Sequence, residues 1–228
     1  MRALLLAAGL GTRLRPLTDT IPKCLVPIGG QPLLEIWLQR LCAADVGPFL
    51  VNTHHHADKV SKFVEMSRYR EQVTLEYEPE LLGTAGTLIK NLEFFGNNDG
   101  MLLHADNYCL TDLHSFQAAH RNRPPYCLMT MMTFRTDMPS ACGIVELDKR
   151  GVVTNFHEKV SDPPGNLANG AVYIISAELI KFLRRELLRP KDFSTEIIGG
   201  LMGRILNYET KEFFLDIGTP ENYRRANL

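Results

Sequence analysis

The chain has 228 residues, 45% of them hydrophobic and 22% charged, with a formal net charge of -1. Those values suit one packed globular unit, and the near-neutral balance excludes the basic excess that a generic nucleic-acid-binding surface needs. The cysteines (Cys24, Cys42, Cys109, Cys127 and Cys142) are odd in number and form no C-x-x-C pair. That points to reduced thiols in a cytoplasmic protein, away from a disulfide framework or a structural zinc site.

Met1-Arg2 followed by ALLLAAGL resembles a stunted signal peptide, but Arg13 and Arg15 stand where a small-residue cleavage site belongs. The run is too short to span a membrane. Ala3 to Ala8 reads as a buried parallel strand, since such strands are continuous apolar stretches. A loop follows to Gly30. Pro32 then opens an amphipathic helix with Leu34, Trp37, Leu38 and Leu41 on one face. Phe49–Asn52 is a strand, Ala57–Arg68 a helix and Val73–Tyr77 a strand. This alternation predicts parallel α/β layering.

A second glycine-bearing loop, EPELLGTAGTL, leads into a helix ending near Leu92. Gly100–Ala105 is a strand running into Asp106, and Leu113–His120 is a helix. Tyr126–Phe134 and Gly143–Leu147 are strands, the latter paired in a hairpin with Val152–Phe156 through the DKRG turn. Asn169–Ile175 is a strand; Leu179–Leu188 and Phe193–Met202 are helical. Ile205–Tyr208 and Glu212–Leu215 are short strands, and Thr219-Pro220 opens a final helix with proline at its first position. There is no repeat and no long linker. The predicted class is α/β, a Rossmann-like three-layer αβα sandwich around a mixed, mostly parallel sheet. Residues 1–228 then form a single domain with two halves, about 1–110 and about 111–228, a nucleotide being expected near the first, parallel one.

The loop from Gly9 to Gly30 leaves the first strand where open α/β sheets collect ligands. Gly9 and Gly11 let backbone N–H groups approach an anion, Arg13 can fork onto phosphate oxygens, and Lys23 is a point charge between Pro22 and Pro27. Neither standard phosphate template fits. G-x-x-x-x-G-K-[ST] is absent, and Leu14 stands where a dinucleotide fingerprint needs its third glycine. On these residues alone the segment is a phosphate loop or a solvated cationic loop.

LLLAAGLGTRLRPLTDTIPKCLVPIGG is, however, similar to the signature of the sugar-1-phosphate nucleotidyltransferases. Only Cys24 departs from it, standing where proline is common after the lysine. The resemblance extends to LLHADNYC, where Ala105 replaces a frequent glycine, and to DIGTPENYRRA. Taken singly, Asp106 and Asp216 read first as turn or capping residues. Beside a phosphate loop they read as a carboxylate pair suited to Mg²⁺. The resemblance assigns Asp106 and Asp216 as metal ligands and, with Arg13 and Lys23, as the catalytic set. It implies nucleotide contacts from Leu6, Ala8, Gly9, Gly11, Thr12 and Arg13, and from Gly83 and Thr84 of the LLGTAG loop. Sugar contacts would come from Gly143, Glu158, Lys159, Asn169 and Gly170. Without the family these last residues read as a hairpin carrying a surface ion pair, and Thr84 as the cap of an ordinary turn.

The implied reaction is NTP plus sugar 1-phosphate giving NDP-sugar and pyrophosphate, with Mg²⁺ as cofactor. Arg13 would stabilise the leaving pyrophosphate and Lys23 would neutralise the two phosphates that meet. The L-G-T-A-G string resembles mannose-1-phosphate and heptose-1-phosphate guanylyltransferases, which favours GTP; a uridylyltransferase acting on a hexose or amino-sugar 1-phosphate is the next reading. A non-catalytic nucleotide-sugar-binding relative is disfavoured because all four catalytic positions survive. The missing third glycine disfavours a dinucleotide-dependent oxidoreductase. The resemblance covers nearly the whole chain and implies a catalytic domain alone, without nucleic-acid or membrane partners; a homo-oligomer is compatible with it. The consecutive His54, His55 and His56 cannot share one face of a strand, so they read as a strand-to-helix junction rather than a metal site.

Overall fold

The computed structural model describes residues 1–186 and 190–228. In chain order, β1 (Arg2–Leu6) gives way to 3₁₀ turns at Thr12–Leu14, Leu17–Asp19 and Lys23–Leu25. Then come β2 (Pro27–Ile28), β3 (Gln31–Pro32), α1 (Leu33–Ala43), β4 (Phe49–Thr53), α2 (Ala57–Met66) and β5 (Val73–Tyr77). Next are α3 (Gly83–Lys90), β6 (Gly100–His104), β7 (Asn107–Cys109), α4 (Leu113–Arg121), β8 (Met129–Arg135), β9 (Gly143–Leu147), β10 (Val153–Glu158) and β11 (Leu167–Ile175). The chain ends with α5 (Ala177–Arg185), a π-helical turn at Phe193–Ile198, β12 (Ile205–Glu209), β13 (Phe214–Asp216) and α6 (Pro220–Ala226). The class is α/β with a mixed sheet, as expected. Among the described residues, no helix is long and apolar enough to cross a membrane.

Two compact units form. One holds Met1–Leu81, Leu103–Leu110 and Phe213–Leu228; the other holds Leu82–Leu102 and Thr111–Glu212. Relative to a cut near residue 110, the C-terminal segment therefore returns to the first unit, and the LLGTAG helix belongs to the second.

In the first unit, β1, β4 and β5 form a parallel ladder with Leu4 opposite Leu50 and Val51 opposite Leu75. β1 stops at Leu6, two residues before the expected end. The Ala7 amide donates to the Asn52 side chain at 2.7 Å, so a side chain replaces the ladder there and releases the loop. Leu34, Trp37, Leu38 and Leu41 of α1 are buried. Pro32 caps that helix instead of starting it, because its backbone is extended in the β2–β3 ribbon. β7 and β13 make a separate antiparallel ribbon.

In the second unit, β8 pairs with β12 in parallel and with β11 antiparallel, while β9 pairs antiparallel with β10 and β11. The hairpin reading was correct; the expected helix at Phe193–Met202 is instead a π-helical turn followed by a 3₁₀ turn at Gly199–Leu201. α5 begins two residues before its expected start, capped by Ser176. Its expected end at Leu187 and Leu188 lies outside the described residues.

Candidate functional site

In the first unit, antiparallel pairing of β13 with β7 puts Asp216 opposite Asn107, the neighbour of Asp106. The Ile217 amide donates to the Asp106 carbonyl at 3.1 Å, and the buried Trp37 indole donates to the Asn107 carbonyl at 2.8 Å. Residues far apart in sequence are thereby held in one geometry, with the ribbon pinned to α1.

Both carboxylates converge on one cation. Lys23 Nζ lies 2.6 Å from Asp106 Oδ2 and 3.2 Å from Asp216 Oδ1. Arg13 Nη2 lies 3.8 Å from Asp216 Oδ2 and is largely exposed. Lys23 is only 7% exposed. Burial alone would lower its pKa, but the Asp106 and Asp216 charges outweigh burial and raise it. Burial pushes the Asp106 carboxyl up, and the Lys23 and His104 charges more than offset this, leaving it below the ordinary carboxylate range. The Cys24 thiol, next to Lys23, is pushed up to about 12, chiefly by burial. It therefore stays uncharged beside the carboxylates.

The loop between β1 and Lys23 is braced from within its own unit. Gly11 has φ +64°, and a side chain there would meet Thr18. Thr18 Oγ1 donates to the Gly11 carbonyl at 2.7 Å. The histidines between β4 and α2 brace it further. His55 Nε2 lies 3.3 Å from the Thr18 carbonyl and His56 Nε2 lies 3.1 Å from that of Asp19, while Lys59 donates to Thr20. His54 turns instead to the Glu78 carbonyl at 2.8 Å. The sequence placed these histidines at a junction and gave no sign of the bracing, because the carbonyls they reach belong to a loop more than thirty residues earlier. Leu6 and Ala8 flank the exit of β1, while Gly9 and Thr12 lie in the loop.

The second unit carries the other expected residues. Gly83 opens α3 with φ +79°, and a Cβ there would press into the Lys191 carbonyl. Thr84 lies inside the helix instead of capping it, and its hydroxyl accepts from the Phe193 amide at 2.8 Å. Gly143 stands opposite Glu158 in the β9–β10 ladder. Lys159 pairs with Glu158 at 2.9 Å. Asn169 and Gly170 lie in β11 where its register against β8 shifts. Glu158 lines a cleft of about 380 Å³ whose lining also includes Ser194 and Thr195. Those two were missed in the sequence, where a helical reading of Phe193–Met202 gave no sign of which face was open.

Among the described residues, no group of three or more His, Cys, Asp and Glu side chains could hold a metal. What is present is a carboxylate pair focused on one cationic point.

The family model described as Nucleotidyl transferase matches residues 2–228. The "Mannose-1-phosphate guanyltransferase" of Aspergillus fumigatus is 29% identical over 98% of this chain and 62% of its own length. That of Saccharomyces cerevisiae is 26% identical over 98% of this chain and 63% of its own. This chain thus spans less than two thirds of those relatives. Among solved structures, HddC from Yersinia pseudotuberculosis complexed with GMP-PN is 25% identical, with TM-score 0.82 over 99% of this chain and 97% of that one. A UDP-glucose pyrophosphorylase complexed with UDP-glucose has TM-score 0.82 at 20% identity, covering 99% of this chain and 96% of that one, a likeness of fold.

Proposed function

Since the chain belongs to the nucleotidyl transferase family, we propose that it transfers a nucleoside monophosphate from an NTP to a sugar 1-phosphate, releasing pyrophosphate, with both units acting as one catalytic domain. The observation that carries this reading is the convergence of Lys23, Asp106 and Asp216, with Arg13 alongside.

The nucleophile is a phosphate oxygen of the sugar 1-phosphate. With a second pKa of about 6, phosphate is already anionic at neutral pH, so no general base is needed. The oxygen bonds to the α-phosphorus while the bond to the bridging oxygen breaks, and its electron pair leaves with pyrophosphate. The protein supplies position and charge. Arg13, exposed beside Asp216, holds the departing phosphates. Lys23, fixed by two carboxylates, neutralises the charge that accumulates as the two phosphates meet. Leu6, Ala8, Gly9, Gly11 and Thr12 present backbone to the nucleotide, and Gly83 and Thr84 the base loop. Gly143, Glu158, Lys159, Asn169 and Gly170 hold the sugar phosphate.

Asp106 and Asp216 fit Mg²⁺, which takes one or two carboxylates and completes its shell with substrate phosphates and water. Each carboxylate turns one oxygen to Lys23, Asp106 Oδ2 and Asp216 Oδ1, and its other oxygen would be the donor to the metal. Bound there, Mg²⁺ would supply charge neutralisation on the phosphate oxygens.

GTP with a manno-configured sugar 1-phosphate is favoured by the guanyltransferase relatives and by the GMP-PN complex of a structural neighbour. A uridylyltransferase is the alternative, since the same fold serves a UDP-glucose enzyme. Four NTPs assayed against mannose, glucose, heptose and N-acetylglucosamine 1-phosphates by pyrophosphate release decide between them. The expected result is the highest kcat/KM for GTP with a manno sugar. A UTP preference selects the alternative, and no release in any pairing overturns both.

A further inference from the structure

The cleft beside Glu158 has a second wall, the π-helical turn Phe193–Ile198, which contributes Ser194 and Thr195. That turn is anchored at its start: Asp192 caps it by accepting from the Thr195 amide at 2.8 Å, and the Ala85 amide donates to Lys191 at 3.0 Å. Behind the cleft lies Tyr173 of β11, 1% exposed, its ring 4.8 Å from that of Phe193. Its hydroxyl accepts from Asn169 Nδ2 at 2.7 Å. Asn169 Oδ1 in turn accepts from the Ala171 amide at 2.9 Å. Ala171 has φ +51°, a left-handed conformation that an alanine keeps only when its surroundings hold it.

One buried tyrosine thus joins the irregular part of β11, through its hydroxyl, to the π-helical turn, through its ring. Bulges and π-turns are both devices that re-aim side chains next to sites. We propose that Tyr173 is a positioning residue for the sugar 1-phosphate, holding Asn169 through its hydroxyl while its ring backs the turn that walls the cleft, and so setting the selectivity among sugar 1-phosphates. The proposal rests on the nucleotidyl-transfer reading of the same cleft. Phenylalanine at this position keeps the ring packing and removes only the hydroxyl to which Asn169 donates. Asn169 then loses its acceptor, and the strained Ala171 turn loses its brace.

Tyr173→Phe is compared with the wild type by calorimetric titration with mannose 1-phosphate and with GTP, and by kcat/KM across epimeric hexose 1-phosphates. The expected result is an about tenfold rise in Kd and KM for the sugar 1-phosphate, the size of one lost hydrogen bond. Affinity for GTP should stay within about twofold, and the preference between the best and second sugar should narrow. Equal losses toward both substrates, or an unchanged sugar ranking with unchanged affinities, would overturn the proposal. A wild type that binds mannose 1-phosphate with this split but releases no pyrophosphate in any pairing overturns the transferase reading and leaves the positioning role standing.

Discussion

Lys23 Nζ lies 2.6 Å from Asp106 Oδ2, across 83 residues of chain. The contact exists because β13 returns from the C-terminus to pair with β7, bringing Asp216 to the same ammonium at 3.2 Å. The ammonium is held by two carboxylates and buried, so its position costs little further ordering when substrate arrives.

Asp106→Ala should therefore lower kcat by about 10²–10³-fold, the usual cost of removing one preorganised electrostatic group. Arg13→Ala should fall in the same range. Pyrophosphate release at saturating Mg²⁺ measures both. A rate near that of the wild type would remove the residue concerned from the catalytic set.

The same pair makes a signed statement about pH. The Asp106 carboxyl sits below its ordinary 3.8, so its contribution to stability is present above that pH and is lost as pH falls through the lower folded value. Lys23 sits above its ordinary 10.5, so its contribution is full below 10.5 and is lost as pH rises through the higher folded value. The Tm difference between wild type and Asp106→Asn should hence shrink below 3.8 and above 10.5. A difference that persists unchanged at pH 3 would show that the ion pair is not its source.

The braced first loop gives a third expectation. Gly11→Ala forces an alanine to φ +64° with its Cβ 2.9 Å from a Thr18 methyl carbon. The left-handed conformation alone costs about 1–2 kcal/mol, and the crowding adds to it. Thr18→Val removes the hydroxyl that donates to Gly11 and should cost about 1 kcal/mol. Urea denaturation reads the stability, and the KM for NTP should rise in both variants. An unchanged KM would mean that the brace is not transmitted to the nucleotide.

Cys24, whose thiol is pushed up to about 12 by burial, should resist iodoacetamide at pH 8. Cys42 and Cys142 are partly exposed and should react before it. Peptide mass spectrometry resolves the sites, and early modification of Cys24 would contradict the buried, uncharged state.

Much of this was legible in the sequence because it depends on local pattern. The apolar run Ala3–Leu6, the face of Leu34, Trp37, Leu38 and Leu41, and the Thr219-Pro220 start of α6 each carry their own period or cap signal. Ribbon pairing did not, because β7 and β13 are three residues each and neither names its partner. The sequence placed Lys23 on substrate phosphates and gave no hint that it would also bridge Asp106 and Asp216. Nor did it show the π-helical turn, since its helix-like apolar spacing conceals a change of hydrogen-bond register. The histidines were read correctly as a junction, but their carbonyl partners at Thr18 and Asp19 arise only from tertiary placement.

The most direct test follows GTP and mannose 1-phosphate with Mg²⁺ by ³¹P NMR. The account predicts that a nucleotide-sugar diphosphate pair and pyrophosphate appear together in equal amounts in wild type, and that both are lost together in Asp106→Ala. Hydrolysis of the nucleotide without any nucleotide sugar, or product formation that survives Asp106→Ala, would contradict it.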